Sequence, residues 1–103
     1  MIYLNKVELQ GIVGSIRKSE ISGTYLYQIT LATQEMYKRD TQIVCETTWH
    51  KIVWWSDDGK LLADKGTPIR VVGRINQSQY VDAYGQTHSA CEIVANEVTI
   101  IKE

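Results

Sequence analysis

Apolar and polar residues alternate with a period of two along most of the chain, and turn-forming residues interrupt the alternation at short intervals. In the first such stretch Val7, Leu9 and Val13 alternate with mostly polar neighbours. Gly11 and Gly14 in the same stretch would allow the sharp bend that a small barrel needs. This pattern predicts a first β-strand that ends near Arg17 and Lys18, in an all-β sandwich or barrel.

Four further strands are predicted from alternation, from β-branched and aromatic residues, and from the turns between them. They cover residues 24–33, 44–55, 69–82 and 87–102, the last with a bend near Asn96. Residues 34–42 are polar and basic, so we expect them to form a hairpin loop. The strands account for almost all of the apolar positions.

One short helix is predicted between the third and fourth strands. Residues 60–65 contain Leu61, Leu62 and Ala63, and Gly66 follows as a helix stop. Five strands with one short helix in this position are the order of a five-stranded Greek-key OB-fold barrel. The chain has 103 residues, which predicts a single domain spanning 1–103.

Targeting signals and catalytic motifs are not evident. The segment from Met1 to Glu8 has no apolar region of a signal peptide, and no apolar run approaches the ~20 residues that cross a bilayer, so we expect a cytoplasmic protein without a membrane partner. No nucleophile, phosphate-loop or zinc-protease motif occurs, and Asp57-Asp58 lies in a predicted turn. We therefore predict no enzymatic activity and no cofactor.

The two cysteines, Cys45 and Cys91, lie inside predicted strands and far apart in sequence. We expect buried free thiols, with a disulfide as the alternative if their strands are neighbours. A metal site would need both cysteines to converge with His50 and His88. No metal is expected.

Charge and aromatic composition point in different directions. The net charge is −1, whereas phosphate-binding domains are usually basic, so a nucleic-acid site would depend on where the 11 Lys and Arg residues point. The chain has three Trp, six Tyr and no Phe. Trp and Tyr, which combine an apolar ring with a polar group, suit surfaces that are partly apolar and partly solvated.

The third strand carries the sharpest candidate site. Alternation places Trp49, Lys51 and Trp55 on one side of the strand, and His50, Ile52 and Trp54 on the other. Burying Lys51 between two indoles would leave an unpaired charge in the core, so we expect the first set to face outward. Two indoles around an ammonium group suit stacked bases with a phosphate between them. An oligomer interface or core packing is the alternative.

Two weaker candidates lie elsewhere. On the fourth strand, Arg74 and Tyr80 share a side and could form a phosphate track that ends in a stacking ring. In the predicted hairpin loop, Tyr37, Lys38 and Arg39 combine an aromatic ring with two cations, which could wrap a polyanion. Ordinary solvated strands and loops often carry the same residue types.

Several short segments, in this order, resemble the bacterial single-stranded DNA-binding proteins. The matching segments are Asn5-Lys6-Val7, Ile29-Thr30-Leu31-Ala32-Thr33, Thr48-Trp49-His50-Lys51-Ile52-Val53, Lys65-Gly66, Val71-Val72-Gly73-Arg74-Ile75, Tyr80-Val81-Asp82 with Gly85-Gln86, and Glu92-Ile93. They extend from Asn5 to about Val98. The resemblance implies DNA-stacking roles for Tyr37, Trp49, Trp55 and Tyr80, and a basic contact at Lys51.

The resemblance also implies function and assembly. It implies sequence-independent binding and protection of single-stranded DNA in replication, repair and recombination, by a homo-oligomer, either a tetramer or a dimer. Relatives usually carry an acidic C-terminal tip that recruits replication proteins, and this sequence stops at Glu103, so recruitment by that route is not expected. Two alternatives remain: a primosomal-type OB-fold protein that acts mainly through protein assembly, and a structural or carbohydrate-binding OB-fold module.

Overall fold

Five strands close into a barrel in the computed structural model, which describes residues 3–102. The strands are β1 (Val7–Ile21), β2 (Thr24–Arg39), β3 (Gln42–Ser56), β4 (Pro68–Val81) and β5 (Thr87–Ile100). Their order around the barrel is β1-β2-β3-β5-β4. Neighbouring strands are antiparallel except β3 and β5, which pair in parallel only over residues 52–54 and 93–95. The predicted all-β, five-stranded barrel is confirmed.

The barrel interior is filled by the inward positions of all five strands. Ile29, Leu31, Ile52, Ile69 and Val71 have almost no exposed surface. Removing such side chains from water supplies most of the favourable free energy of folding. One side of every strand is therefore committed to the core, and the other side is left for solvent or a ligand.

Two β-bulges bend the sheet. The pairing between β1 and β2 skips Gly14, because Val13 faces Leu31 and Ser15 faces Thr30. The pairing between β4 and β5 likewise skips Asn96, where the sequence predicts a bend. Each extra residue reverses the alternation of its strand from that point on.

The predicted helix at residues 60–65 is wrong. The segment between β3 and β4 contains no helix; it is irregular, with Ala63 buried and Leu61 packed against the core. Leu62, between them, is 87% exposed. Inward-facing side chains therefore recur at every second residue, as in an extended chain, and not at every third or fourth residue, as in a helix. Backbone hydrogen bonds from Val13 N to Thr67 O and from Gly66 N to Val13 O attach the segment to β1.

The predicted loop at residues 34–42 is also wrong. The structure continues β2 to Arg39 and begins β3 at Gln42, with a turn at Asp40 and Thr41. Asp40 takes the left-handed conformation, with φ of 57°, which aspartate tolerates in tight turns. The polar composition reflects strands whose two sides are both exposed.

The cysteines are free but not buried, contrary to the prediction. Cys45 and Cys91 are both exposed. Cys45 lies in the outer part of the β2–β3 hairpin, and Cys91 lies in the β4–β5 hairpin. β3 and β5 pair only over residues 52–54 and 93–95, which follow the two cysteines in their strands. The hairpins extend past the core at these positions, so strand residues there have no interior to enter.

Among the described residues 3–102, no helix is long and apolar enough to span a membrane.

We expect Gly73→Ala to destabilise the barrel by about 1–3 kcal/mol, as overpacking does. Gly73 is buried beside the bulge, and a methyl group there would overlap the carbonyl oxygen of Val94. Denaturant unfolding measures the change in free energy of unfolding. Ser78→Ala, at an exposed position of the same strand, is the control, with an expected change within about 0.5 kcal/mol. Equal unfolding midpoints for the two variants would contradict the close approach.

Candidate nucleic-acid interface

The outward side of β3 presents the two indoles that the alternation pattern places there. Trp49 is 60% exposed and Trp55 is 49% exposed, and Lys51 between them is exposed as well. On the inward side Ile52 is fully buried, and Trp54 packs against the core. The structure therefore has both rings and the ammonium group on the outside of the barrel.

The inward residues of β3 are held by specific contacts. The ring of Trp54 stacks on buried Tyr27, with centroids 5.3 Å apart and planes at 29°. His50 Nε2 lies 2.8 Å from Thr33 Oγ1 in a hydrogen bond. Of the three tryptophans, Trp54 is thus a structural residue, and the other two are free to meet a ligand.

Neighbouring strands extend this side of β3 into a continuous surface, which we call the tryptophan face. Strand register aligns its residues in four rows across β1, β2 and β3: Ile12, Ala32 and Trp49; Ser15, Thr30 and Lys51; Arg17, Gln28 and Val53; Ser19, Leu26 and Trp55. A hydrogen bond from Ser15 Oγ to Thr30 Oγ1, 2.9 Å long, links two strands beside Lys51. The rows bearing Lys51 and Arg17 lie between the two indole rows.

Arg17 is a functional candidate whose place on this face the sequence did not predict. Regular alternation from buried Val13 would point Arg17 into the core, but the bulge at Gly14 reverses the alternation. Arg17 consequently shares a side with Gln28 and Val53. Gly14 was the available signal, although a glycine alone does not specify a change of face.

Gly14 also seats the indole of Trp49. A methyl group on Gly14 would overlap the six-membered ring of Trp49, so the ring reaches across β2 and lies against bare backbone of β1. Beside it is a groove of about 480 Å³, lined by Gly11, Ile12, Ala32, Gln34, Thr47 and Trp49. The ring is supported on one side and open on another, as a stacking platform requires.

Charge is segregated so that the tryptophan face is basic. In the described chain no carboxylate lies on the outward side of β2 or β3, or on that of β1 from Gln10 onward. The same positions include three cations, Arg17, Lys38 and Lys51. Glu8, further along β1, is neutralised by Arg70 at 2.8 Å. A chain with a net charge of −1 thus carries a local basic surface.

The β2–β3 hairpin divides its three candidates between two sides. Lys38 aligns with Ile43 on the side of the tryptophan face, whereas Tyr37 and Arg39 point to the other side. Tyr37 donates its hydroxyl proton to Glu46 Oε1 at 2.7 Å. That hydrogen bond, with smaller contributions from desolvation and from Glu35, raises the pKa of Tyr37 above its usual value.

Arg74 and Tyr80 lie on the outward side of β4, which the barrel separates from β3 by β5. Tyr80 is 55% exposed and stacks on His88 of β5. A small groove of about 140 Å³ runs between β3 and β5, with Trp49, Lys51, Cys91 and Glu92 among its lining residues. The structure therefore brings Trp49, Lys51 and Trp55 together, with Lys38 along the hairpin, and places Arg74 and Tyr80 on a second strand pair.

Known proteins resemble this chain in sequence and in fold. The model of the "Single-strand binding protein family" matches residues 4–101. A single-stranded DNA-binding protein of Xanthomonas campestris pv. campestris is 28% identical over 104 aligned positions, which cover 95% of this chain and 60% of the relative. The chain thus spans less than two thirds of the length of that curated relative.

Solved structures share the fold. A Plasmodium falciparum SSB in complex with ssDNA superposes with a TM-score of 0.86 at 24% identity, covering 99% of this chain and 98% of the other. A deletion mutant of the single-stranded DNA binding protein from Thermus aquaticus gives 0.79 at 19% identity, covering 96% of this chain and 51% of the other.

We expect Glu46→Gln to lower the pKa of Tyr37 toward the ordinary phenol value. The substitution removes the carboxylate whose hydrogen bond favours the protonated phenol. An NMR pH titration of ring-labelled tyrosine, with Tyr37→Phe to assign the signal, measures this pKa. Glu35→Gln is the matched control and should lower the pKa less, since Glu35 acts only through space. A larger effect of Glu35→Gln would contradict the observed bond.

Proposed function

The chain belongs to the single-strand binding protein family, and on that premise we propose that it binds single-stranded DNA through the tryptophan face, without sequence preference. The observation that carries the proposal is the outward pair Trp49 and Trp55 with Lys51 between them. In the described chain the outward positions of β2 and β3 beside them carry no carboxylate, and Glu92 of β5 lies at the edge of this surface. Exposed indoles of this extent are unfavourable in water unless a ligand covers them.

Base stacking on the indoles supplies most of the proposed affinity. Each stacked base contributes about 1–3 kcal/mol. Trp49 and Trp55 are six residues apart on one strand, or about 20 Å at ~3.3 Å per residue. Bases at a stacked spacing of about 3.4 Å would place roughly six nucleotides across that length. The two rings therefore contact separate bases of one strand, with the intervening nucleotides crossing the middle of the face.

The cations in the middle of the face meet the backbone of those nucleotides. Lys51 and Arg17 belong to the two central rows of the tryptophan face. Their charges can reach phosphates on either side of the path that the DNA takes. Lys38 extends the basic surface along the hairpin, whereas Arg39 on the other side of the hairpin and Arg74 on β4 meet phosphates where the DNA leaves the tryptophan face. Because every base has a π-face and phosphates carry no sequence information, this arrangement predicts little sequence preference.

Tyr37 and Tyr80 provide stacking rings outside the tryptophan face. Tyr80 is open to solvent on β4, and Tyr37 lies on the far side of the hairpin. A single-stranded DNA that wraps around the barrel and the β2–β3 hairpin would reach both tyrosine rings. In this role the protein shields unpaired DNA during replication, repair and recombination as a homo-oligomer, and it binds its ligand without transforming it.

Trp49→Ala is expected to weaken binding of a fluorescein-labelled oligo-dT by about 5- to 150-fold, which corresponds to one lost stacking contact of about 1–3 kcal/mol. Fluorescence anisotropy measures the Kd, and thermal unfolding verifies that the variant folds. Leu62→Ala removes an even more exposed apolar side chain, in the segment between β3 and β4 and outside the tryptophan face, and should leave the Kd unchanged. Equal affinities for Trp49→Ala and wild type would refute the proposed site.

Salt dependence tests the cations. Arg17→Gln and Lys51→Gln should each reduce the slope of log K against log salt concentration by about 0.7, the value for one phosphate contact on a single strand. Lys65→Gln, at an exposed position between β3 and β4, should leave the slope as it is. A slope that falls by the same amount in all three variants would mean that only total charge matters.

A further inference from the structure

Three side chains form a connected cluster at the end of the β4–β5 hairpin. The rings of Tyr80 and His88 stack with centroids 5.2 Å apart and planes at 22°. His88 Nε2 lies 2.7 Å from Asp82 Oδ2. The contacts run in order from the carboxylate to the imidazole to the phenol ring.

The carboxylate end of the cluster is fixed by the backbone of the turn. Asp82 Oδ1 accepts hydrogen bonds from the N–H groups of Tyr84 and Gln86, both at 2.9 Å. His88, together with these backbone donors, lowers the pKa of Asp82 below its usual value. Asp82 is therefore ionised at neutral pH and can only accept, so His88 must donate its Nε2 proton. Its Nδ1 is left to take up a second proton.

The phenol end of the cluster is open. Tyr80 remains 55% exposed although His88 lies against its ring. One side of the ring is supported by the imidazole, and a base can stack on the remaining surface. The supported ring loses little conformational freedom when a base docks, which favours binding.

We propose that His88 is a positioning residue for DNA binding, which holds the Tyr80 ring as a stacking platform and, when protonated, strengthens the binding of single-stranded DNA at mildly acidic pH. This inference rests on the proposed function and deepens it by assigning a pH response to the β4–β5 hairpin.

The charges around His88 determine the sign of that response. Asp82 is the charged group in contact with it in the described chain, and its other neighbour is the ring of Tyr80. Further along the same side, Glu92 of β5 is engaged by Asn76 at 3.4 Å, and Arg74 of β4 is exposed. With a neutral imidazole the Asp82–His88 pair carries −1 and repels phosphate. With an imidazolium the pair is neutral, so the hairpin repels the DNA backbone less.

The test is oligo-dT affinity at about pH 6 and about pH 8, on either side of the range in which imidazoles titrate. We expect the wild type to bind about three- to tenfold more tightly at the lower pH. His88→Phe keeps an aromatic support without the charge, so it should retain the affinity seen at the higher pH and lose most of the gain at the lower one. Any response left in His88→Phe comes from other groups that titrate in this range, among them His50, the second histidine of the sequence.

A double-mutant cycle distinguishes positioning from a separate contact. His88→Ala should weaken binding at both pH values in the wild-type background. In a Tyr80→Ala background it should have no further effect at about pH 8, where only the positioning of the ring acts, and should remove only the pH response at about pH 6. Thermal unfolding of each variant verifies folding, and His88→Phe supplies a second variant if His88→Ala fails to fold.

The inference is overturned if the wild type shows no pH response, if His88→Phe keeps the full response, or if the effects of His88→Ala and Tyr80→Ala simply add at about pH 8. These outcomes leave the proposed function standing as long as Trp49→Ala still weakens binding. If Trp49→Ala has no effect either, the proposed function fails first.

Discussion

The burial of Ile52 is the constraint on which the candidate interface depends. Ile52 is fully enclosed and pairs with Ile29 of β2 and Ile93 of β5, at the short parallel contact that closes the barrel. Because strand side chains alternate, closing the barrel with Ile52 leaves Lys51 and Val53 no position except the outside. Trp49 and Trp55 follow in the same register. The packing of the core thus determines which side chains are offered to a ligand.

Charge placement resolves an apparent conflict between composition and function. A net charge of −1 argues against a polyanion ligand only if charges are spread evenly. Here Glu35 and Glu46 face each other on the side of the hairpin that holds Tyr37, and Asp82 is confined to a turn. Among the described residues, the charged side chains on the tryptophan face from Ile12 onward are cations, and Glu92 of β5 lies only at its edge. The local charge of this face therefore differs in sign from the total charge.

The sequence predicts the barrel, the outward Trp49, Lys51 and Trp55, and the inward His50 correctly because each follows from a period of two. It fails where that period breaks. The bulge at Gly14 turns Arg17 outward, and no local preference indicates that change of face. The segment 60–65 has helix-forming residues, but only Leu61 and Ala63 find a core to enter. Hairpin residues 34–42 are mostly polar because both sides of the hairpin are exposed to solvent. Composition alone cannot distinguish such a hairpin from a loop.

The three tryptophans allow the central claim to be tested within one molecule. Trp49 and Trp55 point outward, whereas Trp54 is partly buried, stacks on Tyr27 and packs against the core. Indole signals in a ¹H–¹⁵N NMR spectrum, recorded while unlabelled oligo-dT is added, report on each ring separately. We predict that the signals of Trp49 and Trp55 shift together as binding saturates and that the signal of Trp54 stays in place. Saturable binding that moves the Trp54 signal and leaves the two outer signals unchanged would contradict binding at the tryptophan face.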